Sequence, residues 1–156
     1  MKEQKKFKLK LMAKRKFTIY RGDNSKGEFK DYETEVTEGM VVLDVIHRIQ
    51  ADQANDLAVR WNCKAGKSGS CSMEINGKPK LACMTRMNEY TEDEKISITP
   101  LKTFPVMKDL VPDVSWNYRQ NEKIAPLKPN PSKKDEKGKY IMMQEDVDRI
   151  QEFRKC

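Results

Sequence analysis

The side chains of this sequence that could carry chemistry are concentrated in one stretch, from Arg60 to Cys83. It reads RWNCKAGKSGSCSMEINGKPKLAC and holds three of the four cysteines and three of the seven glycines. Thiolates bind metal ions, and glycines let a loop close around such a site. Cysteines packed this closely in a glycine-rich loop indicate a metal or redox site in a reducing compartment, rather than a disulfide framework.

The spacing of the cysteines indicates which kind of site this is. Plant-type [2Fe–2S] proteins bind their cluster with Cys-x4-Cys-x2-Cys and a fourth, more distant Cys. Here the run is Cys63-x4-Ser68-x2-Cys71, and Cys83 follows further along the chain. Three of the four expected thiolates are therefore present at the expected spacing, and Ser68 stands where the remaining one would be.

Two glycines of this loop, Gly66 and Gly69, can adopt a positive φ without strain. We expect them to bring backbone N–H groups close to the sulfurs, in a nest that stabilises the negative charge of a cluster. Cys83, on the far side of a hairpin, would close the cage.

Two interpretations of Ser68 remain open. Ferric iron is a hard Lewis acid that strongly lowers the pKa of a bound hydroxyl, so Ser68 can bind as an alkoxide. Alternatively, Ser68 leaves one iron with too few ligands, and the cluster is labile or absent. A zinc site is less well supported because no Cys-x2-Cys knuckle is present. Inert core thiols are a further alternative, although a glycine-rich loop is a poor place to bury three.

Composition sets the scale of the rest of the chain. Its 156 residues suffice for one domain with an appendage, and 35% of them are charged. The net charge is +7, with lysines clustered at the N-terminus and around residues 128–139. Only Phe7 and Tyr140 accompany these lysines, too few for the stacking platforms of single-stranded nucleic acid, so no nucleic-acid partner is predicted. No apolar run approaches the roughly 18 residues of a membrane span, and the N-terminus lacks the apolar segment of a signal peptide. These features predict a cytoplasmic protein without direct membrane insertion.

The elements that must position the loop can be read from hydrophobic periodicity. Alternating apolar residues predict a strand over residues 7–20 and a second one around 29–36. From Val42 the period changes to that of an amphipathic helix, which we expect to end near Asn55. His47, the only histidine, lies off the apolar stripe and is interpreted as a surface residue rather than a ligand or proton carrier. The stripe consists of Val42, Val45, Ile46 and Ile49.

Short strands are predicted after the cysteine loop. The Asn-Gly pair at 76–77 is a strong hairpin signal between strands at 72–75 and 80–82, and residues 95–99 predict a further strand. The order strand, strand, helix, loop, hairpin, strand predicts an α+β protein with a β-grasp domain over residues 7–103.

The remaining residues, 104–156, are expected to form a helical and linker extension. Apolar residues spaced four apart from Val106 to Val114 predict one helical face, in a helix that Pro112 must kink or divide. The proline- and lysine-rich residues 124–139 predict a linker. Residues 144–155 predict a short helix whose acidic first turn suits the helix dipole.

This chain resembles one family from about residue 15 onward: the N-terminal ferredoxin domain of the iron–sulfur subunit of succinate dehydrogenase and fumarate reductase. The stretches that carry the resemblance are RWNCKAGKSGSCSMEINGKPKLACMTRM, VVLDVIHRIQ, TPLKTFPVMKDLVPDVSWNY and QEDVDRIQEFRKC. The resemblance implies a β-grasp domain with one [2Fe–2S] cluster, whose ligands are Cys63, Ser68, Cys71 and Cys83.

The resemblance also implies a function: an electron-transfer subunit, or its N-terminal part, that is not catalytic alone. It would relay electrons between the flavin of a flavoprotein subunit and further Fe–S centres or quinone, as a peripheral subunit at the cytoplasmic face of the inner membrane. Cys156 corresponds to the first Cys of the Cys-x2-Cys-x2-Cys-x3-Cys-Pro run that opens the family's second domain. We therefore expect no [4Fe–4S] or [3Fe–4S] site here, and contact with a membrane anchor only through that second domain. The alternative is a docking module of the same complex that has lost its cluster.

Overall fold

A computed structural model describes residues 11–124 and 133–150, with side chains from Lys14 onward. The chain divides into two compact units, the first ending at Val114 and the second beginning at Ser115. The strands are β1 (Leu11–Gly22), β2 (Gly27–Thr37), β3 (Ser72–Ile75), β4 (Lys78–Leu81), β5 (Ile96–Thr99), β6 (Val106–Lys108) and β7 (Val111–Pro112). The helices are α1 (Val42–Asp52), α2 (Ser115–Glu122) and α3 (Gln144–Ile150), with a short 3-10 turn at Met87–Glu89.

The first unit is built on a five-stranded mixed sheet in the order β2-β1-β5-β3-β4. β1 and β5 are parallel, and the other neighbouring strands are antiparallel. A mixed sheet of this order, with α1 following the first hairpin, confirms the predicted α+β class and β-grasp arrangement. The part of the first predicted strand at residues 7–10 lies outside the described residues.

The core lies between one face of this sheet and α1. The predicted helical stripe is confirmed and is widened by Leu43, which is also fully buried. The helix ends at Asp52, near the expected end at Asn55, and the N–H groups of Gln53 and Ala54 both donate to the carbonyl of Ile49. Each large apolar side chain buried here contributes about 1.5–3 kcal/mol to folding. The sheet supplies Phe17, Ile19, Val36, Met73, Ile75, Ile96 and Ile98.

One charged side chain, Arg15, is also buried in β1. Its guanidinium donates hydrogen bonds to the carbonyl oxygens of Met87 at 3.0 Å, of Tyr90 at 3.4 Å and of Thr91. These bonds give both terminal nitrogens of this buried cation polar partners. They hold the segment that follows Cys83 against the first strand.

The helical face predicted from Val106 to Val114 is wrong, because β6 and β7 form a short hairpin there. Asp109, in the turn, has a φ of 50°, which lies outside the helical region. Its buried carboxylate accepts the backbone N–H groups of Gly22 and Ala58, each at 2.8 Å. The apolar spacing of four residues is therefore not helical here, because the turn at Asp109 is held by backbone groups distant in sequence.

Arg21 completes the surroundings of this carboxylate. Its Nε lies 3.1 Å from Asp109 Oδ1, and its other nitrogens donate to the Tyr32 hydroxyl at 2.7 Å and to Asp56 at 2.5 Å. Burial lowers the pKa of Arg21, but its bonds to Tyr32 and Asp109 outweigh this effect, and the pKa lies above its ordinary value. The guanidinium is therefore always charged.

The second unit contains α2 and α3, neither of which has a fully buried residue among those described. Between the helices, an isolated bridge joins Lys134 to Tyr140 around a turn. The helix predicted at 144–155 is present over Gln144–Ile150, and its end at 151–155 lies outside the described residues, as does half of the predicted linker, residues 125–132. In the described part of the chain, no helix is both long and apolar enough to cross a membrane.

We predict that Asp109→Asn destabilises the first unit by about 2–4 kcal/mol, because it leaves the Arg21 cation without its buried counter-charge and places an NH2 group against one of the two backbone N–H donors. Urea unfolding of the cluster-free chain measures the change. Asp56→Asn is the matched control, since it removes an exposed carboxylate from the same arginine and should change stability little. Equal midpoints for the two variants would contradict the role given to Asp109.

Candidate metal centre

The cysteine loop begins from a fixed point after α1. Asp109 holds the N–H of Ala58, and Arg60 donates to the carbonyl of Pro112 at 3.2 Å. The chain then passes Trp61 and turns around Cys63, whose side chain is exposed. These bonds fix the direction in which the loop leaves the core.

Three backbone N–H groups converge on the sulfur of Cys63. They belong to Ala65 at 3.4 Å and to Lys67 and Ser68 at 3.3 Å each. Such a nest of N–H groups binds an anion, here a thiolate. The predicted nest is therefore present.

Three left-handed residues produce this turn. The predicted positive φ is confirmed for Gly66, at 67°, and for Gly69, at 72°. Lys64 also has a φ of 52°, which the sequence did not indicate. Without these values the chain could not return its N–H groups to the sulfur of Cys63.

The hydroxyl of Ser68 is part of the same arrangement. It donates to the sulfur of Cys63 at 3.4 Å and accepts the N–H of Ser70 at 3.3 Å. The pKa of Cys63 is lowered to about 6. The largest cause is the hydrogen bond from the Ser68 hydroxyl, followed by those from the N–H groups of Ala65, Ser68 and Lys67. Cys63 is therefore a thiolate at neutral pH, with the oxygen of Ser68 beside it.

Cys71 and Cys83 form a second pair at the base of the β3–β4 hairpin, one before β3 and one after β4. Both are buried. Burial raises the pKa of Cys71; the backbone N–H of Cys83 acts in the opposite direction, whereas the adjoining Cys83 thiol raises the pKa further. The two thiols thus interact in a buried position, and burial disfavours the thiolate form of Cys71.

The loop and the Cys83 turn are packed against each other through Gly66. A Cβ at this position would lie 2.9 Å from Cγ of Met84 and 3.8 Å from Cδ1 of Leu81. Leu81 and Met84 flank Cys83 closely in sequence, so the loop that carries Cys63 lies against the turn that carries Cys83. The convergence of all four predicted ligands on one site stays a prediction.

This donor set fits a group that needs four anionic ligands. One thiolate is already formed, two thiols lie side by side, and a hydroxyl oxygen is within reach of the first sulfur. Over residues 11–124 and 133–150, no three His, Cys, Asp or Glu side chains are grouped as the ligands of a single metal ion would be.

Sequence reasoning missed the surroundings of Trp61. His47, interpreted as a surface residue, is half-buried and lies edge-on to the Trp61 ring at 5.0 Å, and burial lowers its pKa. Lys64 lies over the same ring at 4.9 Å. Trp61 itself stays 47% exposed. No local sequence signal pairs His47 with Trp61, because the contact depends on how the loop leaves the core.

Known proteins resemble this chain over most of its length. The 2Fe-2S iron-sulfur cluster binding domain family matches residues 16–119. The succinate dehydrogenase iron-sulfur subunit of Paracoccus denitrificans is 38% identical over 116 residues, which are 72% of this chain and 44% of that protein. The fumarate reductase iron-sulfur subunit of Mycobacterium tuberculosis (strain CDC 1551 / Oshkosh) is 33% identical over 82% of this chain and 52% of its own length.

A solved structure extends these similarities. A chain of the Mycobacterium smegmatis Sdh1 complex in the apo form is 58% identical, with a TM-score of 0.79 over 93% of this chain and 60% of that chain. The present chain thus spans about half the length of the curated relatives it matches.

The nest around Cys63 predicts a pH profile for the cluster-free protein. Alkylation of Cys63 by iodoacetamide, followed at its own peptide by mass spectrometry, should rise with a midpoint near pH 6, because only the thiolate reacts. Ser68→Ala should move the midpoint upward toward the ordinary value of 9.0, since it removes the largest contribution. Ser70→Ala is the control and should leave the midpoint in place. A midpoint near 9 in the parent would contradict this assignment.

Proposed function

The chain belongs to the 2Fe-2S iron-sulfur cluster binding domain family, and from this premise we propose that it is an electron-transfer subunit of a succinate dehydrogenase or fumarate reductase complex. The observation that carries the proposal is the site itself: an N–H nest around the Cys63 thiolate, packed through Gly66 against the turn that holds Cys83 beside Cys71. The relatives named above, which are iron–sulfur subunits of such enzymes, support it.

The proposed ligands are Cys63, Ser68, Cys71 and Cys83. A bound [2Fe–2S] cluster supplies one-electron transfer between a donor and an acceptor. The residues of this chain bind it and set its surroundings. The N–H dipoles at Cys63 favour negative charge on the cluster, and the buried position of Cys71 and Cys83 excludes water from one side. Gly66 and Gly69 give the loop the conformation that this requires.

The proposed role of the chain is to relay electrons from the flavin of a flavoprotein subunit towards further Fe–S centres or quinone, without catalysing a reaction on an organic substrate. We place it as a peripheral subunit at the cytoplasmic face of the inner membrane, with no nucleic-acid partner. In this proposal a membrane anchor subunit is contacted only by a second domain, for which the longer relatives have enough residues.

Exposed aromatic side chains support docking onto another subunit. In the first unit Trp61 is 47% exposed next to the cysteine loop, and Phe104 is half-buried. In the second unit Trp116 is 57% exposed. Large apolar side chains left in solvent are typical of protein interfaces.

Ser68→Cys tests the ligand set most directly. If Ser68 is a ligand, the variant should keep about two irons and two sulfides per chain, and its reduction potential should rise, because a thiolate stabilises Fe(III) less than an alkoxide does. Iron and sulfide analysis, the paramagnetic signal of the reduced protein and a redox titration measure these properties. Ser70→Cys is the matched control, since it adds a thiol to the same loop outside the ligand spacing.

Other outcomes of this experiment are equally informative. A parent with little iron, and a Ser68→Cys variant that gains it, would show that Ser68 is a gap and would favour the docking module without a cluster. A Ser68→Cys variant identical to the parent in iron content, spectrum and potential would contradict the placement of the site.

We also predict that Trp61→Ala weakens binding to the flavoprotein subunit about tenfold, because exposed tryptophans near the centre of an interface often dominate its affinity. Titration of the isolated flavoprotein with each variant measures the dissociation constant. Phe29→Ala is the control, since Phe29 is 60% exposed but lies on β2, at the opposite edge of the sheet from the β3–β4 hairpin. Equal affinities for the two variants would place the interface elsewhere. Iron analysis of both confirms that the cluster is retained.

A further inference from the structure

The turn that carries Cys83 is closed on a single carbonyl oxygen. The carbonyl of Leu81 accepts the N–H of Met84 at 2.9 Å, the N–H of Thr85 at 3.0 Å and the hydroxyl of Thr85 at 2.9 Å. Thr85 is buried, with 4% of its surface exposed. The Thr85 hydroxyl therefore donates its hydrogen bond to the carbonyl of Leu81, the last residue of β4.

The same turn is held from outside by the first residues of α1. The N–H of Leu43 donates to the carbonyl of Ala82 at 3.0 Å, and the N–H of Val42 donates to the carbonyl of Thr85 at 2.9 Å. These are N–H groups that a helix cannot satisfy internally. Cys83 thus lies between two carbonyls that are bound to a rigid, buried helix.

We propose that Thr85 is the positioning residue for Cys83: its hydroxyl closes the Leu81–Thr85 turn and so fixes the Cys83 sulfur beside that of Cys71. The inference rests on the proposed ligand set, of which Cys83 is a member. Thr85 itself binds no iron. It holds the backbone between the hairpin and α1 in one conformation before any cluster is bound.

The structure distinguishes this role from general packing. Loss of the Thr85 hydroxyl leaves the Leu81 carbonyl with its two N–H donors, so the fold persists and only the turn opens more often. Opening of the turn moves Cys83 itself, whereas Cys71 precedes β3 and lies outside the turn, where its carbonyl accepts the N–H of Ala82 at 3.1 Å. A local effect therefore changes the two buried thiols unequally, and a global loss of stability changes both alike.

The test is alkylation of the full chain, freed of metal by a chelator and kept reduced, with rates read separately at the Cys71 and Cys83 peptides at one fixed pH. In Thr85→Val, which keeps the shape and removes the hydroxyl, the ratio of the Cys83 rate to the Cys71 rate should rise about three- to fivefold. Thr85→Ser should restore the parent ratio. Thr34→Val is the matched control, because Thr34 is also buried but lies on β2, at the other edge of the sheet.

If Thr85→Val does not fold, the pair Thr85→Ser and Thr85→Ala replaces it, since both lack the methyl group and differ only in the hydroxyl. A Cys83 to Cys71 ratio that is equal in Thr85→Val and Thr34→Val, or in the replacement pair, overturns the proposal. A rise that Thr85→Ser does not reverse overturns it as well.

A second readout uses the cluster-loaded chain. Thr85→Val should lose its visible absorbance to a chelator about three- to fivefold faster than Thr34→Val, and the paramagnetic signal of its reduced form should change shape. If the parent takes up no cluster at all, the proposed function fails, whereas the alkylation ratios of the metal-free chain still decide the role of Thr85. If the parent does bind a cluster and Thr85→Val releases it no faster than Thr34→Val, the role proposed for Thr85 fails and the proposed function does not.

Discussion

The buried carboxylate of Asp109 is the constraint on which the placement of the other elements depends. It accepts N–H groups from Gly22 and Ala58 at 2.8 Å each and lies 3.1 Å from the Arg21 guanidinium. Backbone bonds run alongside, from the Asp109 N–H to the Gly22 carbonyl and from the Leu110 N–H to the Ala58 carbonyl. A buried carboxylate without partners costs several kcal/mol, so the end of β1, the β6–β7 turn and the start of the cysteine loop are stable only together.

The candidate metal centre is held at both of its ends. Hydrogen bonds fix the near end, where Ala58 and Arg60 direct the chain towards Cys63. The far end is fixed by hydrogen bonds within the Leu81–Thr85 turn and from the start of α1, and by burial, because Cys71 and Cys83 lie at the base of a hairpin whose inner side chains belong to the core. Between these ends the loop needs only the correct backbone angles. This explains why a segment with few apolar side chains can keep a defined shape, which is the condition for ligands to be in place before a metal arrives.

Periodicity and spacing predicted the parts whose causes are local. The alternation in β1, the stripe of α1, the Asn-Gly hairpin and the approach of Ser68 to Cys63 all depend on residues within a few positions of each other. The helix expected from Val106 to Val114 failed because the conformation of Asp109 is decided by partners 87 and 51 residues away. The burial of His47 was missed for the same reason, since its partner Trp61 lies beyond the end of its helix. Contacts between residues distant in sequence cannot be predicted from the periodicity of the sequence.

Two separate features of the structure restrict substitution of Gly66: its close packing against Met84 and its backbone conformation. A methyl group there would meet Met84 at 2.9 Å, and the φ of 67° disfavours most L side chains. Substitution of Met84 by a smaller residue would relieve the steric contact, but the positive φ of Gly66 would remain. At Gly69 the nearest atom is 4.0 Å away, so only its φ of 72° restricts the choice, and asparagine tolerates that conformation. Two glycines three positions apart in one loop are thus expected to evolve at different rates.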